Sequence, residues 1–183
     1  TVGNSPSCND GAAALTVMSE AEASRRGLKP MARIVGYAGA ALAPEWFTIA
    51  PIEAIKRLLK NLGLGVPDID LFEIYDDYPN AVMIQIEDLG YCKKGEGGKF
   101  DDNHDLTYNG NFPVNTGGGE LSVGQAGLAG GYLHLVEALR QLRGEAEGHQ
   151  VKKAERALVT GIGWLNYGRN LGTTAALVME RRK

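Results

Sequence analysis

Seven glycines fall among the seventeen residues 115–131, NTGGGELSVGQAGLAGG, and Gln125 stands in their midst. Glycines let a ligand approach backbone N–H groups, and a helix starting after them favours negative charge. The run therefore suits a phosphate cradle or a backbone-lined catalytic wall, and it equally suits an ordinary tight connection. No Gly-Lys-Ser/Thr follows it, so it is not a Walker A loop. GQAGLAGG follows no clear strand and makes no convincing dinucleotide fingerprint. A second place is EIYDDYP, where Tyr75 and Asp76 end a short apolar run just ahead of a helix start. Ligands of open α/β sheets gather beyond the carboxyl ends of strands, where a tyrosine can donate to a carbonyl or transfer a proton. Alternatively, Asp76 and Asp77 cap the helix and Tyr75 packs. The third is TGIGWLNYGRNLGTT, with Trp164, Tyr167 and Arg169 on a pocket wall or on the surface of a hairpin.

Other chemistries find little support. His104, His134 and His149 share no ligand spacing with a second His, Cys or carboxylate pair, so no metal is expected, and His134 is expected to be a packed or half-exposed helix residue. DDNHD lacks the Gly and final Glu of a calcium loop. There is no nucleophile elbow. A net charge of -3 argues against electrostatic binding of nucleic acid. No apolar run of about 18 residues is present, so no membrane span is expected. Cys8 and Cys92 form no disulfide framework, and no signal peptide is visible, which makes reduced thiols in a cytoplasmic protein the expectation. The start at Thr1 reads as that of a fragment, a processed chain or a renumbered domain.

Alternating elements must carry these residues. Residues 11–19, GAAALTVMS, read as a buried strand. Ser19 then caps a helix with Glu22 as capping-box partner and Gly27 at its end. MARIVGYAGA reads as a second strand. Residues 51–62 place Ile52, Ile55, Leu59 and Leu62 on one helical face, pair Glu53 with Arg57, and stop at Gly63. IDLFEIY suits a strand covered on both faces, and Asp77 caps a buried helix with Pro79 in its first turn. Residues 91–111 read as a long surface loop. Leu128, Tyr132, Leu135, Leu139 and Leu142 form an apolar stripe, and residues 143–155 a solvated connection. RALVTGIG and TTAALVMER are the last two strands, flanking a loop WLNYGRNLG. Strands alternating with helices over 183 residues indicate a single α/β domain.

Taken in order, these pieces resemble the C-terminal half of the thiolase superfamily. GNSPSCNDGAAALTVMSEAEASRRGLKPMARIVGYA looks like the thiolase stretch G-N-x-S-x-x-N-D-G-A-A-A with the strand and helix after it, and the similarity spans residues 1–183. It implies a thiolase-like αβα half with a mixed five-stranded sheet between helices. The N-terminal half, which carries the family's acyl-accepting cysteine, is absent. Where thiolases carry Asn-Glu-Ala-Phe, this chain has Tyr75, Asp76, Asp77 and Tyr78. Where they carry Gly-His-Pro, it has Gly124, Gln125 and Ala126. Gly161, Ile162 and Gly163 stand in place of Cys-x-Gly, whose Cys is the acid/base. Neither Cys8 nor Cys92 falls on a catalytic position.

These exchanges keep a hydrogen bond at Gln125 but remove a proton carrier, which disfavours plain thiolysis. They look more like the sterol-carrier-protein-type branch, which includes CoA-thioester retro-aldolases of steroid, lipid and aromatic catabolism. On that resemblance Tyr75 and Tyr167 transfer protons, and Gln125 with backbone N–H groups of residues 118–124 stabilises an enolate. Asp76, Tyr78, Gly118, Gly119, Gly124, Gly161 and Gly163 line the substrate. A tyrosine base near neutrality would need its pKa lowered from about 10. Two other readings remain: a thiolytic acyltransferase (acetyl-CoA acetyltransferase type) whose Cys lies in the absent half, and a non-catalytic acyl-CoA or lipid-binding scaffold. No permanently bound cofactor is expected, coenzyme A entering as part of the substrate. Expected partners are the N-terminal half, a second copy in a homodimer or higher oligomer, and a small zinc-ribbon/OB-fold subunit. The isolated chain should be inactive and expose a large apolar docking face.

Overall fold

Ser19 opens α1 (Glu20–Arg25), its hydroxyl accepting from the Glu22 N–H at 3.2 Å. Glu22 turns its carboxylate to Arg25 and Arg26, so only half of the expected capping box forms. The computed structural model describes residues 1–167 and 169–182, and for residues 164–167 and 169–171 the backbone alone. β1 (Arg33–Leu42) leads to α2 (Ala50–Leu62), which buries Ile52, Ile55, Leu58 and Leu59. α2 stops at Gly63, whose φ of 66° is left-handed and cheap only without a Cβ. Arg57 donates to the carbonyl of Gly39 at 2.9 Å instead of pairing with Glu53.

β2 (Leu71–Glu73) is fully buried, as its apolar run predicts, but only three residues long. It is followed by α3 (Pro79–Asp88), α4 (Gly97–Asn103), α5 (Gly119–Val123) and α6 (Gly130–Arg143). β3 (Arg156–Tyr167) and β4 (Arg169–Glu180) close the chain. Among the described residues the sheet has four strands, in the order β1-β4-β3-β2. β1–β4 and β3–β4 are antiparallel and β2–β3 parallel, which makes the sheet mixed. The pleat sends alternate residues to opposite faces. Leu158, Ala176 and Val178 pack with Ile55, Leu58 and Leu59 of α2. Ala157, Val159 and Met179 pack with Leu135, Ala138 and Leu142 of α6.

Five local expectations are corrected. Residues 11–19 join no strand, and Leu15 and Val17 are exposed, so the fifth strand is missing. The chain just before them is tied elsewhere: Asn9 N–H donates to the Gln125 carbonyl and Gln125 N–H to that of Ser7, which carries the segment across the glycine run. The expected loop at residues 91–111 contains α4, because Phe100 buries itself among Tyr91, His104 and Phe112. Within WLNYGRNLG, residues 164–167 and 169–172 are strand and not loop, since the β3–β4 register continues from Trp164↔Gly172 to Tyr167↔Arg169. Tyr78, not Asp77, holds the cap position of α3. α6 begins only at Gly130, leaving Leu128 exposed and Tyr132 at the surface; Leu135 and Leu142 are the buried part of the stripe.

Candidate active site

The strand end that carries Tyr75 is held by side chains beyond the last ladder pair of β2. Asn115 accepts from the Ile74 N–H at 2.7 Å and donates to the Ile74 carbonyl at 2.9 Å, acting as one residue of a missing neighbouring strand. Its own N–H bonds the Phe72 carbonyl at 2.8 Å. The Thr160 hydroxyl of β3 accepts from the Tyr75 N–H at 2.9 Å, and Gln85 of α3 donates to the Tyr75 carbonyl at 2.8 Å. The backbone of Tyr75 is thus saturated and fixed. Its phenol donates to Asp77, and burial, followed by that hydrogen bond and the nearby negative charges, holds its pKa far above the ordinary 10. Tyr75 is a neutral donor here, the opposite of the lowered pKa that a tyrosine base requires.

The glycine run folds onto this strand end. Asp76 accepts from the Glu120 N–H at 2.9 Å and from the Leu121 N–H at 3.4 Å. This contact explains Gly119, because a Cβ there would overlap the Asp76 carboxylate and φ is 61°. Gly118 and Gly124 also have left-handed φ, and a Cβ on Gly124 would run into Asn9. Gln125 donates its amide to Glu120 at 2.9 Å and, weakly, to Asp77 at 3.4 Å. Glu120 is fully buried. Burial raises its pKa to about 7, the His134 charge opposing and Asp76 and Asp77 adding to the rise.

Beneath this layer lies His134 of α6, 1% exposed. Its Nε2 is 3.3 Å from Asp76 Oδ1 and its Nδ1 3.5 Å from Glu73 Oε2. Burial alone would lower its pKa; the carboxylates of Asp76 and Glu73 overrule that and bring it to about 9. Burial pushes the Glu73 carboxyl up, against His134 and against the Thr116 N–H donated to it at 2.9 Å. A pocket of about 390 Å³ opens between residues 9–13 and α6, lined among others by Gly119, Gly124, Tyr132, His134, Glu137 and Arg140.

A strand end ending in Tyr-Asp-Asp, a glycine run folded over it and a helix behind both can be compared with known proteins. Residues 40–170 match the family model described as Thiolase C-terminal domain-like. The chain belongs to that family. The thiolase-like domain is 36% identical over 172 residues to sterol carrier protein 2 of Bos taurus, covering 85% of this chain and 31% of that protein. It is 31% identical over 180 residues to an acetyl-CoA acetyltransferase of Syntrophomonas wolfei subsp. wolfei, covering 98% and 38%. With a mitochondrial acetyl-CoA acetyltransferase of Macaca fascicularis it shares 35% identity over 144 residues, 77% of this chain and 30% of that protein. The chain therefore spans about a third of the length of the curated relatives it matches.

In the thiolase-like domain the expected site residues separate into groups. Tyr75, Asp76, Gly118, Gly119, Gly124 and Gln125 come together, joined through Asp77 and Glu120. Tyr78 is 44% exposed at the start of α3. Gly161 lies against Gly131 of α6, where a Cβ on either would come within 3.5 Å of the other's Cα. That glycine pair lets helix and strand approach closely. Gly163 faces the Thr173 hydroxyl. The Tyr167 side chain lies outside the described residues. Cys8 and Cys92 are free thiols, and among the described residues no helix is long and apolar enough to cross a membrane.

Glu73, Asp77, Asn115, Glu120 and His134 escaped the sequence reading as site residues. Glu120 had a signal, a single carboxylate inside a glycine run. His134 had none, since its partners lie 58 and 61 residues away along the chain.

Proposed function

We propose that this domain forms one half of the active site of a thiolase-superfamily enzyme acting on acyl-CoA thioesters, and that its reaction is retro-aldol C–C cleavage. The observation that carries the proposal is the hydrogen-bonded set Tyr75–Asp77–Gln125–Glu120, which contains donors but neither a cysteine nor an exposed histidine. Cleavage of a β-hydroxyacyl thioester needs no acyl-enzyme. A base removes the β-hydroxyl proton, the Cα–Cβ electron pair becomes a thioester enolate as the ketone or aldehyde leaves, and the α-carbon then takes up a proton. Tyr75 supplies that last proton or holds the enolate oxygen, since an enolate is a far stronger base than a phenolate. Tyr167 is assigned to the first proton transfer. Gln125 is assigned to the developing oxyanion, because the N–H groups of residues 118, 120–122 and 124 are already donated to Asn115, Asp76, Gly118 and Glu120. The other half-site, a second copy and any small partner subunit are to be supplied by the full-length assembly, without which this chain has no turnover.

The full-length protein, offered a panel of β-hydroxyacyl-CoA thioesters, should release a ketone or aldehyde, and Tyr75→Phe should slow this by about 10²–10⁴. Capture of a covalent acyl-enzyme without carbonyl release would overturn the lyase reading. That outcome would favour acyl transfer, the second reading, which the acetyl-CoA acetyltransferase relatives support. Tight binding without any turnover would favour a scaffold.

A further inference from the structure

Asp76, Glu120 and His134 come from the segment that follows β2, from α5 and from α6, and all three are buried. One ligand atom from each lies within 4.8 Å of the other two. From these positions we infer a binding site for a divalent transition-metal ion, zinc by preference, buried beneath the glycine run and independent of which reaction the enzyme performs.

Three features favour an ion over a plain ion pair. The first is unmet valence. Nε2 of His134, which turns towards Asp76 at 3.3 Å, and Oε1 of Glu120 are buried without a hydrogen-bond partner, while Nδ1 faces Glu73 at 3.5 Å. Buried polar atoms in native proteins are partnered, and each exception calls for a cause. The second is charge. Glu73, Asp76 and Glu120 are 1, 2 and 0% exposed, and a single imidazole faces all three. Carboxylates buried at that density are paired or coordinate metals. The third is spacing. Two ligands held about 2.1 Å from a tetrahedral zinc stand about 3.4 Å apart. The Nε2–Oδ1 separation of 3.3 Å has that value.

The surroundings complete the pattern. Glu73 lies behind Nδ1 of the ring and is itself fixed by the Thr116 N–H and hydroxyl, each at 2.9 Å. A carboxylate behind the far nitrogen of a ligating histidine sets its tautomer and raises its basicity. Oxygens of Glu120 and Gln125 face Gly130, where a Cβ would overlap both. One imidazole with two carboxylates is a mixed nitrogen and oxygen set, which suits zinc and does not suit magnesium or calcium. Through Glu120, whose carboxylate receives the Gln125 amide, the ion fixes the orientation of that side chain.

The full-length protein, stripped with EDTA and dialysed into metal-free buffer, is titrated separately with zinc chloride and manganese chloride, with bound metal measured by mass spectrometry. One equivalent of zinc per chain is expected to remain, and His134→Gln and Glu120→Gln should each lose it. Glu73→Gln should weaken retention about 10- to 100-fold. Cobalt(II) loaded into the wild-type protein should show the visible bands of a four- or five-coordinate nitrogen and oxygen site, a readout that survives if the variants do not fold. Failure to retain one equivalent of either metal would overturn the inference and leave His134 as a buried imidazolium. So would undiminished retention by both ligand variants, or a cobalt spectrum dominated by thiolate bands.

Discussion

Gln125 and Glu120 are joined side chain to side chain at 2.9 Å, Glu120 in the first turn of α5 and Gln125 just beyond its end. The contact gives the glycine run one oriented amide in a wall otherwise made of backbone. Replacing Gln125 by Ala in the full-length protein should lower turnover by about 10²–10³, the usual loss for an oxyanion donor, with a smaller change in KM. Steady-state kinetics on a cleavable thioester checks this, and an unchanged kcat would remove Gln125 from the machinery.

Asn115→Ala should cost roughly 1–3 kcal/mol, because it strands both the N–H and the carbonyl of Ile74 in a part-buried place. The measurement is the urea midpoint at constant slope. A change within 0.5 kcal/mol, roughly what a surface substitution costs, would mean that water replaces the amide.

Gly119→Ala combines a left-handed φ with a Cβ that overlaps Asp76. The backbone alone costs about 1–2 kcal/mol, so the variant should lose more than that and release the contact between Asp76 and α5. Gly127→Ala is the control, having a similar φ of 57° and nothing within 4 Å of its Cβ. Thermal unfolding of the pair should place Gly119→Ala clearly below Gly127→Ala.

Glu180 of β4 ties that strand to both its neighbours, β3 and β1, accepting from Arg156 at 2.6 and 3.0 Å and from Arg33 at 2.8 Å. Those guanidinium groups, Arg156 foremost, hold its carboxyl below the ordinary 4.5. A carboxyl whose folded pKa is depressed adds stability above its unfolded value, and that stability is lost as pH falls through the lower folded value. Glu180→Gln should therefore cost about 1 kcal/mol at pH 7, and the gap to wild type should close only below about pH 4.5. Denaturation midpoints from pH 7 to pH 3 test the sign.

What the sequence makes legible is local. The apolar face of α2 and its stop at Gly63, the Ser19 cap and the span of β1 depend on neighbours within a few residues. The run at residues 11–19 announces a demand for cover but carries no information about which sheet would provide it. Phe100, alone in a polar stretch, gives no periodicity from which α4 could be seen. In the site, Tyr75 and Gln125 are visible because they stand where a family motif differs. The direction of the Tyr75 shift depends on how deeply the fold buries it and on Asp77 beneath its hydroxyl, neither of which a linear pattern records. Asp76, Glu120 and His134 meet only because β2, α5 and α6 converge, so no spacing rule could join them.

The two backbone hydrogen bonds that clasp Gln125 to residues 7–9 place the exposed segment 11–19 and the glycine wall mechanically in series. Tension or ordering applied to that segment is delivered to the main chain of the one residue whose side chain enters the wall. A subunit or domain that captured residues 11–19 would therefore act as a tuning peg for Gln125, adjusting the site without touching a substrate.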